Sequence, residues 1–171
     1  VMKVYPNIFS NNPVDRVSDL RSDPSWVEKT LNRKKTMICL FWRGKAFISK
    51  HKSIILDNSN PEQSNPAWFP LDFFKGQISD TDILVFIGLI EDRAFFALDV
   101  SRHTNPEEVL NLATLGEFED LMVLAPQAIN SGELAMLGQA KAIFEWNKSH
   151  KFCSKCGTES TMVEAGYKRV C

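Results

Sequence analysis

The sequence predicts an α+β fold, in which a sheet of mixed or antiparallel strands packs against helices and a small cysteine-bearing hairpin follows. Two pairs of apolar runs are each joined by a tight turn, at Arg43-Gly44 and at Asp92-Arg93. A long helix near the carboxyl end carries a single apolar stripe, and three of the four cysteines come after it. We therefore expect two units, one over residues 1–150 and a smaller one over residues 151–171.

The first helix is predicted by Asp23-Pro24, because an Asp side chain caps free backbone amides and Pro is tolerated at the first helical position. We expect this helix to run to about Arg33. The polar segment before it, Asp15–Arg21, is compatible with a short helix or an ordered loop.

The next elements are strands. Apolar runs at Thr36–Trp42 and Lys45–Ser49 predict two strands, and Ser53–Leu56 is a candidate for a third. The segment Asp57–Pro70 is rich in Asn, Ser and Pro, so we expect a loop there.

A second hairpin is predicted from Asp82–Glu91 and Ala94–Val100. The first of these runs is apolar without alternation, so both faces of the strand need cover. We expect helices or a second sheet on both sides of it.

The carboxyl half is expected to be mainly helical, with short helices at Pro106–Leu112 and Glu117–Leu124. The last helix is capped by Asn130 and has Glu133 at the capping-box position. It ends in the basic turn Lys148–Lys151, which suits the negative end of a helix dipole. Its apolar stripe comprises Met136, Leu137, Ala140, Ile143 and Phe144.

Composition limits the classes of function. The 171 residues have a net charge of −1, whereas a dedicated nucleic-acid-binding protein usually shows a strong basic excess. The longest apolar run, Ile83–Ile90, is too short to cross a bilayer, and Val1–Pro6 lacks the apolar core of a signal peptide. We expect no membrane association.

The most specific signal is the spacing of the last three cysteines. Two residues separate Cys153 from Cys156, and fourteen separate Cys156 from Cys171. A zinc ribbon takes four thiolates from two Cys-x-x-Cys turns that are joined by a short hairpin. We predict a structural zinc on these three cysteines, with the fourth ligand just past Cys171. The chain is then expected to be the front part of a longer protein.

The residues between the cysteines support a hairpin, with strands at Thr161–Val163 and Tyr167–Val170 around Glu164–Gly166. Gly157 suits the turn that follows the first cysteine pair. A redox dithiol and unpaired thiols are the alternatives to zinc. Cysteines at metal spacing fit a reducing compartment better than a secreted disulfide framework, so we expect an intracellular, cytoplasmic protein.

Several segments carry a family resemblance. Gln139–Gly157, which contains Phe-Glu-Trp-Asn-Lys-Ser-His-Lys-Phe-Cys-Ser-Lys-Cys-Gly, and Glu164–Cys171 together resemble the helix-to-ribbon junction of the NADH pyrophosphatases of the Nudix hydrolase superfamily. Asn12–Arg16 with Arg21 resembles the amino-terminal Leu-Asp-Arg element of that family, with Val in place of Leu. Phe95–Asp99 is similar to its Trp-Phe-Ala-Leu-Asp strand.

The resemblance implies a degenerate Nudix-like domain, a four-cysteine zinc ribbon and then a catalytic Nudix domain. The full-length enzyme is expected to hydrolyse NADH or NAD to nicotinamide mononucleotide and AMP, using Mg²⁺ or Mn²⁺ in its catalytic domain. The bacterial branch also removes NAD caps from RNA. The resemblance further implies a homodimer, and a peroxisomal location for a eukaryotic member.

The catalytic Nudix box has the pattern Gly-x5-Glu-x7-Arg-Glu-hydrophobic-x-Glu-Glu-x-Gly, and nothing in this chain is close to it. The adjacent pair Glu107-Glu108 lacks the preceding Arg and the following Gly, so we expect a solvated helix start. We assign this chain no catalytic and no cofactor-binding residue, and we predict it to be inactive alone. The alternative function is a stand-alone zinc-ribbon adaptor for RNA or protein, favoured by basic residues near the first cysteine pair: Lys148, Lys151, Lys155, Lys168 and Arg169.

Other residues are weaker candidates. His150 could supply a zinc ligand, but a cation at the helix end is favoured. Cys39 lies in an apolar run, where a buried thiol acts as a small hydrophobic group. His51 and His103 have no nucleophile at useful spacing. The four tryptophans are expected to be packing anchors: Trp26, Trp42, Trp68 and Trp146.

Overall fold

A computed structural model of the chain describes residues 7, 9–49, 65–79, 81–127 and 131–171. Four sequence predictions lie outside these residues: the candidate strand Ser53–Leu56, the loop up to residue 64, His51 and the cap Asn130. The rest of the predicted loop, residues 65–70, contains two short strands that pair with the sheet, so the loop prediction is wrong there.

Nine strands and four helices make up the described part of the chain. In order they are α1 (Pro24–Leu31), β1 (Met37–Trp42), β2 (Lys45–Ser49), β3 (Asn65–Pro66), β4 (Phe69–Pro70), β5 (Ile83–Ile90), β6 (Arg93–Asp99), α2 (Pro106–Val109), β7 (Gly116–Glu119), α3 (Leu121–Leu124), α4 (Ser131–Ser149), β8 (Thr161–Val163) and β9 (Lys168–Val170). Short 3-10 turns occupy Leu71–Phe74, Ala125–Gln127 and Glu164–Gly166. No helix in these described ranges is both long and apolar enough to span a bilayer.

Seven of the strands form one mixed sheet. Its order is β3-β2-β1-β6-β5, with β4 paired to β1 and β7 paired to β2. β1 runs parallel to β6, with Met37 opposite Phe95, and the other pairs are antiparallel. The predicted α+β fold with a mixed sheet and packing helices is confirmed.

The two faces of the sheet bury alternate side chains of the same strands. In β1, Cys39 and Phe41 belong to the core under α4, whereas Ile38 and Leu40 belong to the core on the opposite face. On that opposite face Trp26 of α1 meets Phe86 edge-on, with ring centroids 5.7 Å apart. The predicted cover on both faces is therefore present, and the α4 stripe lies on one of them.

The first helix forms as predicted, because Asp23 accepts a hydrogen bond from the Ser25 amide at 2.9 Å and caps α1. The segment before it is the ordered loop, not a short helix. Asp15 pairs with Leu89 at the edge of β5 through two backbone hydrogen bonds of 2.9 and 2.8 Å. This contact ties the amino-terminal segment to the sheet.

The predicted helix Glu117–Leu124 is wrong over its first half. Gly116–Glu119 is strand β7, which pairs with β2 and places Phe118 opposite Phe47. The buried ring of Phe118 meets Phe47 at a centroid distance of 5.0 Å, so contact with the sheet overrides the local preference for helix. Helix α3 begins only after Asp120, which caps it. Likewise, α2 is one turn long and ends at Val109.

Candidate metal centre

The turn around the first cysteine pair is built by two backbone hydrogen bonds. The Cys153 amide donates to the Thr158 carbonyl at 2.8 Å, and the Gly157 amide donates to the Cys153 carbonyl at 2.8 Å. Gly157 has a φ of +71°, a conformation that glycine adopts at low cost. This tight turn carries the side chains of Cys153 and Cys156.

The β8–β9 hairpin carries the third cysteine back to that turn. Thr161 pairs with Val170 and Val163 pairs with Lys168, so the chain reverses across Glu164–Gly166. Cys171 directly follows the last of these pairs. The predicted hairpin between the cysteines is therefore present.

The structure brings the three predicted cysteines together. The Sγ atoms of Cys153, Cys156 and Cys171 all lie within 4.8 Å of one another. Thiolates at three corners of a zinc tetrahedron are about 3.8 Å apart, because each zinc–sulfur bond is about 2.3 Å long. The arrangement thus fits a zinc ion, and such a structural ion would hold the two ends of the ribbon together.

No other group of three or more His, Cys, Asp or Glu side chains converges in this way within the described ranges. His150, the alternative ligand, is not in the group. Its Nδ1 lies 2.9 Å from Ser149 Oγ and 3.1 Å from the Trp146 carbonyl oxygen, so the ring caps the end of α4.

The thiols of the cluster differ in acidity. Hydrogen bonds from the side chain and backbone of Thr158, followed by one from Cys153, lower the pKa of Cys156 to about 7. The neighbouring Cys153 and Cys156 raise the pKa of Cys171 above its ordinary value. Because the thiolate is the form that binds metal, Cys156 is the cysteine best prepared as a ligand near neutral pH.

The hairpin is docked on α4 through a buried amide. Asn147 is 2% exposed, and its Nδ2 donates to the Gly166 carbonyl at 2.8 Å and to the Ile143 carbonyl at 2.9 Å. Its Oδ1 accepts from Arg169 at 3.0 Å, and the same guanidinium donates to Ser160 Oγ at 2.8 Å. The ribbon therefore has a polar anchor on the sheet domain that does not involve metal.

A second anchor joins the ribbon to the amino-terminal segment. The hydroxyl of Tyr167 hydrogen-bonds to Gln139 of α4, and the guanidinium of Arg21 lies 3.8 Å from the centroid of the Tyr167 ring. Gln139 in turn accepts from Asn12 at 2.5 Å. Burial raises the pKa of Tyr167. Sequence reasoning predicted no anchoring contact for these side chains, although most of them lie inside the segments that carry the family resemblance.

The remaining candidates have structural roles. Cys39 is 1% exposed, and burial raises the pKa of its thiol. Trp42 Nε1 donates to the His103 carbonyl at 2.9 Å, and Trp68 Nε1 donates to Glu133 Oε1 at 3.0 Å. The Trp42 ring packs against Phe118 at a centroid distance of 5.8 Å and the Trp68 ring against Phe95 at 5.1 Å, so the predicted packing role of these two tryptophans is confirmed.

Comparison with known proteins identifies the family of the chain. Residues 35–146 match the model of the NADH pyrophosphatase-like rudimentary NUDIX domain, and residues 148–171 match the NADH pyrophosphatase zinc ribbon domain. The chain belongs to this family. The predicted resemblance is thereby confirmed, and the three-cysteine cluster lies inside the zinc ribbon.

The relatives that this chain resembles are longer proteins. Nudix hydrolase 19, chloroplastic, of Arabidopsis thaliana is 25% identical and aligns with 99% of this chain and 44% of its own length. The NAD-capped RNA hydrolase NUDT12 of Pongo abelii is 27% identical over 96% of this chain and 40% of its own length. The NAD-capped RNA hydrolase NPY1 of Saccharomyces cerevisiae is 26% identical over 99% of this chain and 51% of its own length. The chain thus spans about two-fifths to half of these relatives.

Proposed function

We propose that this chain is the non-catalytic amino-terminal portion of an NAD(H) pyrophosphatase. The full-length form hydrolyses the diphosphate of NADH or NAD to nicotinamide mononucleotide and AMP, and it also removes NAD caps from RNA. The observation that carries the proposal is the tandem match of a rudimentary NUDIX domain and its zinc ribbon, with three ribbon thiols converged. The names of the relatives support the substrate class.

The proposed inactivity of this chain alone rests on its side chains. Nudix hydrolysis of a diphosphate needs clustered carboxylates that hold divalent metal ions, Mg²⁺ or Mn²⁺, next to the pyrophosphate. Among the described residues, the side chains that converge as potential metal ligands are cysteine thiols and not carboxylates. Glu107, which is half-buried, and Glu108, which is exposed, lie at the start of α2, where Asn105 Oδ1 accepts from the Glu108 amide as a cap. Hydrolysis is therefore assigned to a separate catalytic domain.

The experiment is an assay with NADH and Mg²⁺ or Mn²⁺, run on this chain and on the longer protein from the same source. We expect nicotinamide mononucleotide from the longer protein and none from this chain. Product formation in proportion to the amount of purified chain contradicts the assigned inactivity. A longer protein that leaves NADH and NAD intact contradicts the proposed pyrophosphatase function.

We further propose that Cys153, Cys156 and Cys171 are three ligands of a structural zinc, with a fourth donor supplied beyond residue 171. Metal analysis tests the assignment in the longer protein. We expect about one zinc per chain, lost in the Cys153→Ser/Cys156→Ser variant and kept in the control Cys39→Ala. Zinc that survives the double substitution shows that its ligands lie elsewhere.

Two broader proposals concern assembly and location. The full-length enzyme is proposed to be a homodimer; Met122 and Val123 on α3, which are 72% and 46% exposed, support a contact surface. The hairpin of β5 and β6 supplies part of both cores of the sheet domain. Light scattering at micromolar concentration tests this, and a strictly monomeric mass contradicts it.

The proposed location is the cytoplasm, or the peroxisome in a eukaryotic source. It is supported by four described cysteines that form no disulfide, which suits a reducing compartment. Imaging of the tagged full-length protein tests it, and secretion of the protein contradicts it.

A further inference from the structure

A groove runs along the junction of the sheet domain and the ribbon, outside the thiol cluster. Two cavities of about 290 and 240 Å³ form it, and both are lined by Asp99, Phe144 and Lys148. Phe41 lines the sheet end of the groove, and Met162 of the ribbon lines the other end. The floor is therefore apolar along the length of the groove.

The walls of the groove carry an excess of positive charge. Five cationic and three acidic side chains line the two cavities, although the whole chain has a net charge of −1. Two of the cations are engaged: Lys141 lies 3.3 Å from Asp120, and Arg169 is hydrogen-bonded to Asn147.

The other three cations are exposed: Arg43, Lys148 and Lys151. The guanidinium of Arg43 also lies over the Trp42 ring, 4.6 Å from its centroid. None of the three forms an ion pair with a carboxylate of the described residues. In contrast, Asp99 already accepts hydrogen bonds from Ser101. Glu145 and Glu159 also line the groove, are exposed and form no ion pair with the described cations, so the lining of five cations and three carboxylates has a net formal charge of +2.

An exposed aromatic ring stands at the ribbon end of the groove. Phe152 is 65% exposed and forms a β-bridge with Glu159, which lines the groove. Phe152 is therefore adjacent to two residues that line the groove, Lys151 before it in the chain and Glu159 across the bridge. Cations along a track with an exposed aromatic side chain beside them are the features that bind single-stranded nucleic acid.

We propose that this groove binds single-stranded RNA, with backbone phosphates on Arg43, Lys148 and Lys151 and one base stacked on Phe152. The choice of RNA, and not another polyanion, rests on the function proposed above. Binding to this chain requires no hydrolysis, so a failure of RNA binding and a failure of the pyrophosphatase assay are separate results. The groove also explains how a chain of nearly neutral net charge can hold a polyanion, since the cations are local.

Fluorescence anisotropy with a labelled 12-nucleotide single-stranded RNA tests the proposal on the purified chain. Three phosphate contacts predict that log K falls with log salt with a slope of about −2. In Lys148→Ala/Lys151→Ala the affinity should fall about tenfold, and the slope should become shallower by about 1.4. Phe152→Ala should weaken binding about fivefold or more, and Phe152→Trp should retain it. A duplex of the same sequence should bind more weakly, because its bases are not free to stack.

The matched control is Lys29→Ala/Lys34→Ala, which removes the same charge from exposed positions on the opposite side of the sheet. It should leave affinity at low salt within about twofold, because screened charges outside the groove contribute little. The proposal is overturned if both double variants lose RNA affinity equally or if neither loses any. It is also overturned if the unmodified chain does not bind RNA. A change of oligomeric mass in Lys148→Ala/Lys151→Ala overturns it as well, since the groove is then a contact between copies. Circular dichroism and zinc content of each variant check that the fold is unchanged.

Discussion

The sheet domain and the zinc ribbon are ordered by different forces. In the sheet domain, Phe41, Phe86 and Phe96 are at most 1% exposed and pack in two cores on the two faces of one sheet. In the ribbon, every residue from Ser154 to Glu159 is exposed, and only Ser160 and Gly166 are buried. The domain has enough apolar area to stabilise its own fold, whereas the ribbon turn does not.

The comparison shows where a metal is needed. A turn of a few residues without a core must be held by covalent, metal or docking contacts. The hairpin half of the ribbon has docking contacts, through Asn147 and Tyr167. Within the described part of the chain, the turn that carries Cys153 and Cys156 has no hydrogen bond or ion pair to the sheet domain. We infer that zinc mainly orders this turn, while the sheet domain is stable without it.

The largest expected difference between the two regions is in thiol reactivity. In chelator-treated chain, iodoacetamide should modify Cys156 roughly a thousandfold faster than Cys39, which reacts only when the core opens. Since hydrogen bonds lower the pKa of Cys156 to about 7, its rate should rise with pH up to about 7 and then level off. Burial raises the pKa of Cys39, so that thiol stays protonated over this range. Peptide mapping by mass spectrometry gives both rates, and similar rates contradict the comparison.

The next largest effect is on the free energy of unfolding. Phe96→Ala should destabilise the sheet domain by about 3–5 kcal/mol, because it removes a fully buried ring whose centroid lies 5.1 Å from that of Phe86. The matched change in the ribbon, Phe152→Ala, should cost at most about 0.5 kcal/mol, since that ring is exposed. Urea denaturation followed by tryptophan fluorescence measures both. Equal costs show that the ribbon shares the core of the domain.

A smaller effect separates docking from the local conformation of the ribbon. A Cβ at Gly166 would lie 2.6 Å from Val85 Cγ1, so Gly166→Ala should weaken docking by about 1–3 kcal/mol. The control is Gly157→Ala. Gly157 and Gly166 both have a positive φ, but a Cβ at Gly157 would meet no atom within 4 Å. Trypsin cleavage after Lys168 or Arg169 should be faster in the first variant than in the second. Faster cleavage in Gly157→Ala indicates that turn strain, not docking, holds the hairpin.

The features set by local pattern could be predicted from the sequence. The apolar runs of β1, β2, β5 and β6 need burial wherever they pack, and the spacing of Cys153, Cys156 and Cys171 permits few arrangements other than a ribbon.

The features set by contacts between distant segments could not be predicted. β7 is a four-residue strand whose pairing with β2 decides its conformation, so its own sequence did not distinguish it from a helix. Asn147 and Arg169 are polar residues that resemble solvated positions in the sequence, yet they bond across the junction of domain and ribbon. The groove follows from that junction, and sequence reasoning found only three of its five basic residues, Lys148, Lys151 and Arg169.

Hydrogen exchange with and without a zinc chelator tests the central claim most directly, on the longer protein that holds the complete zinc ribbon. On chelation, exchange at residues 153–158 should accelerate at least about tenfold, because the Cys153–Thr158 and Cys153–Gly157 backbone bonds open. The strands β1, β5 and β6 should exchange at unchanged rates, and the docked hairpin should keep most of its protection. Equal acceleration in the sheet strands, or an unchanged rate at residues 153–158, would contradict the account.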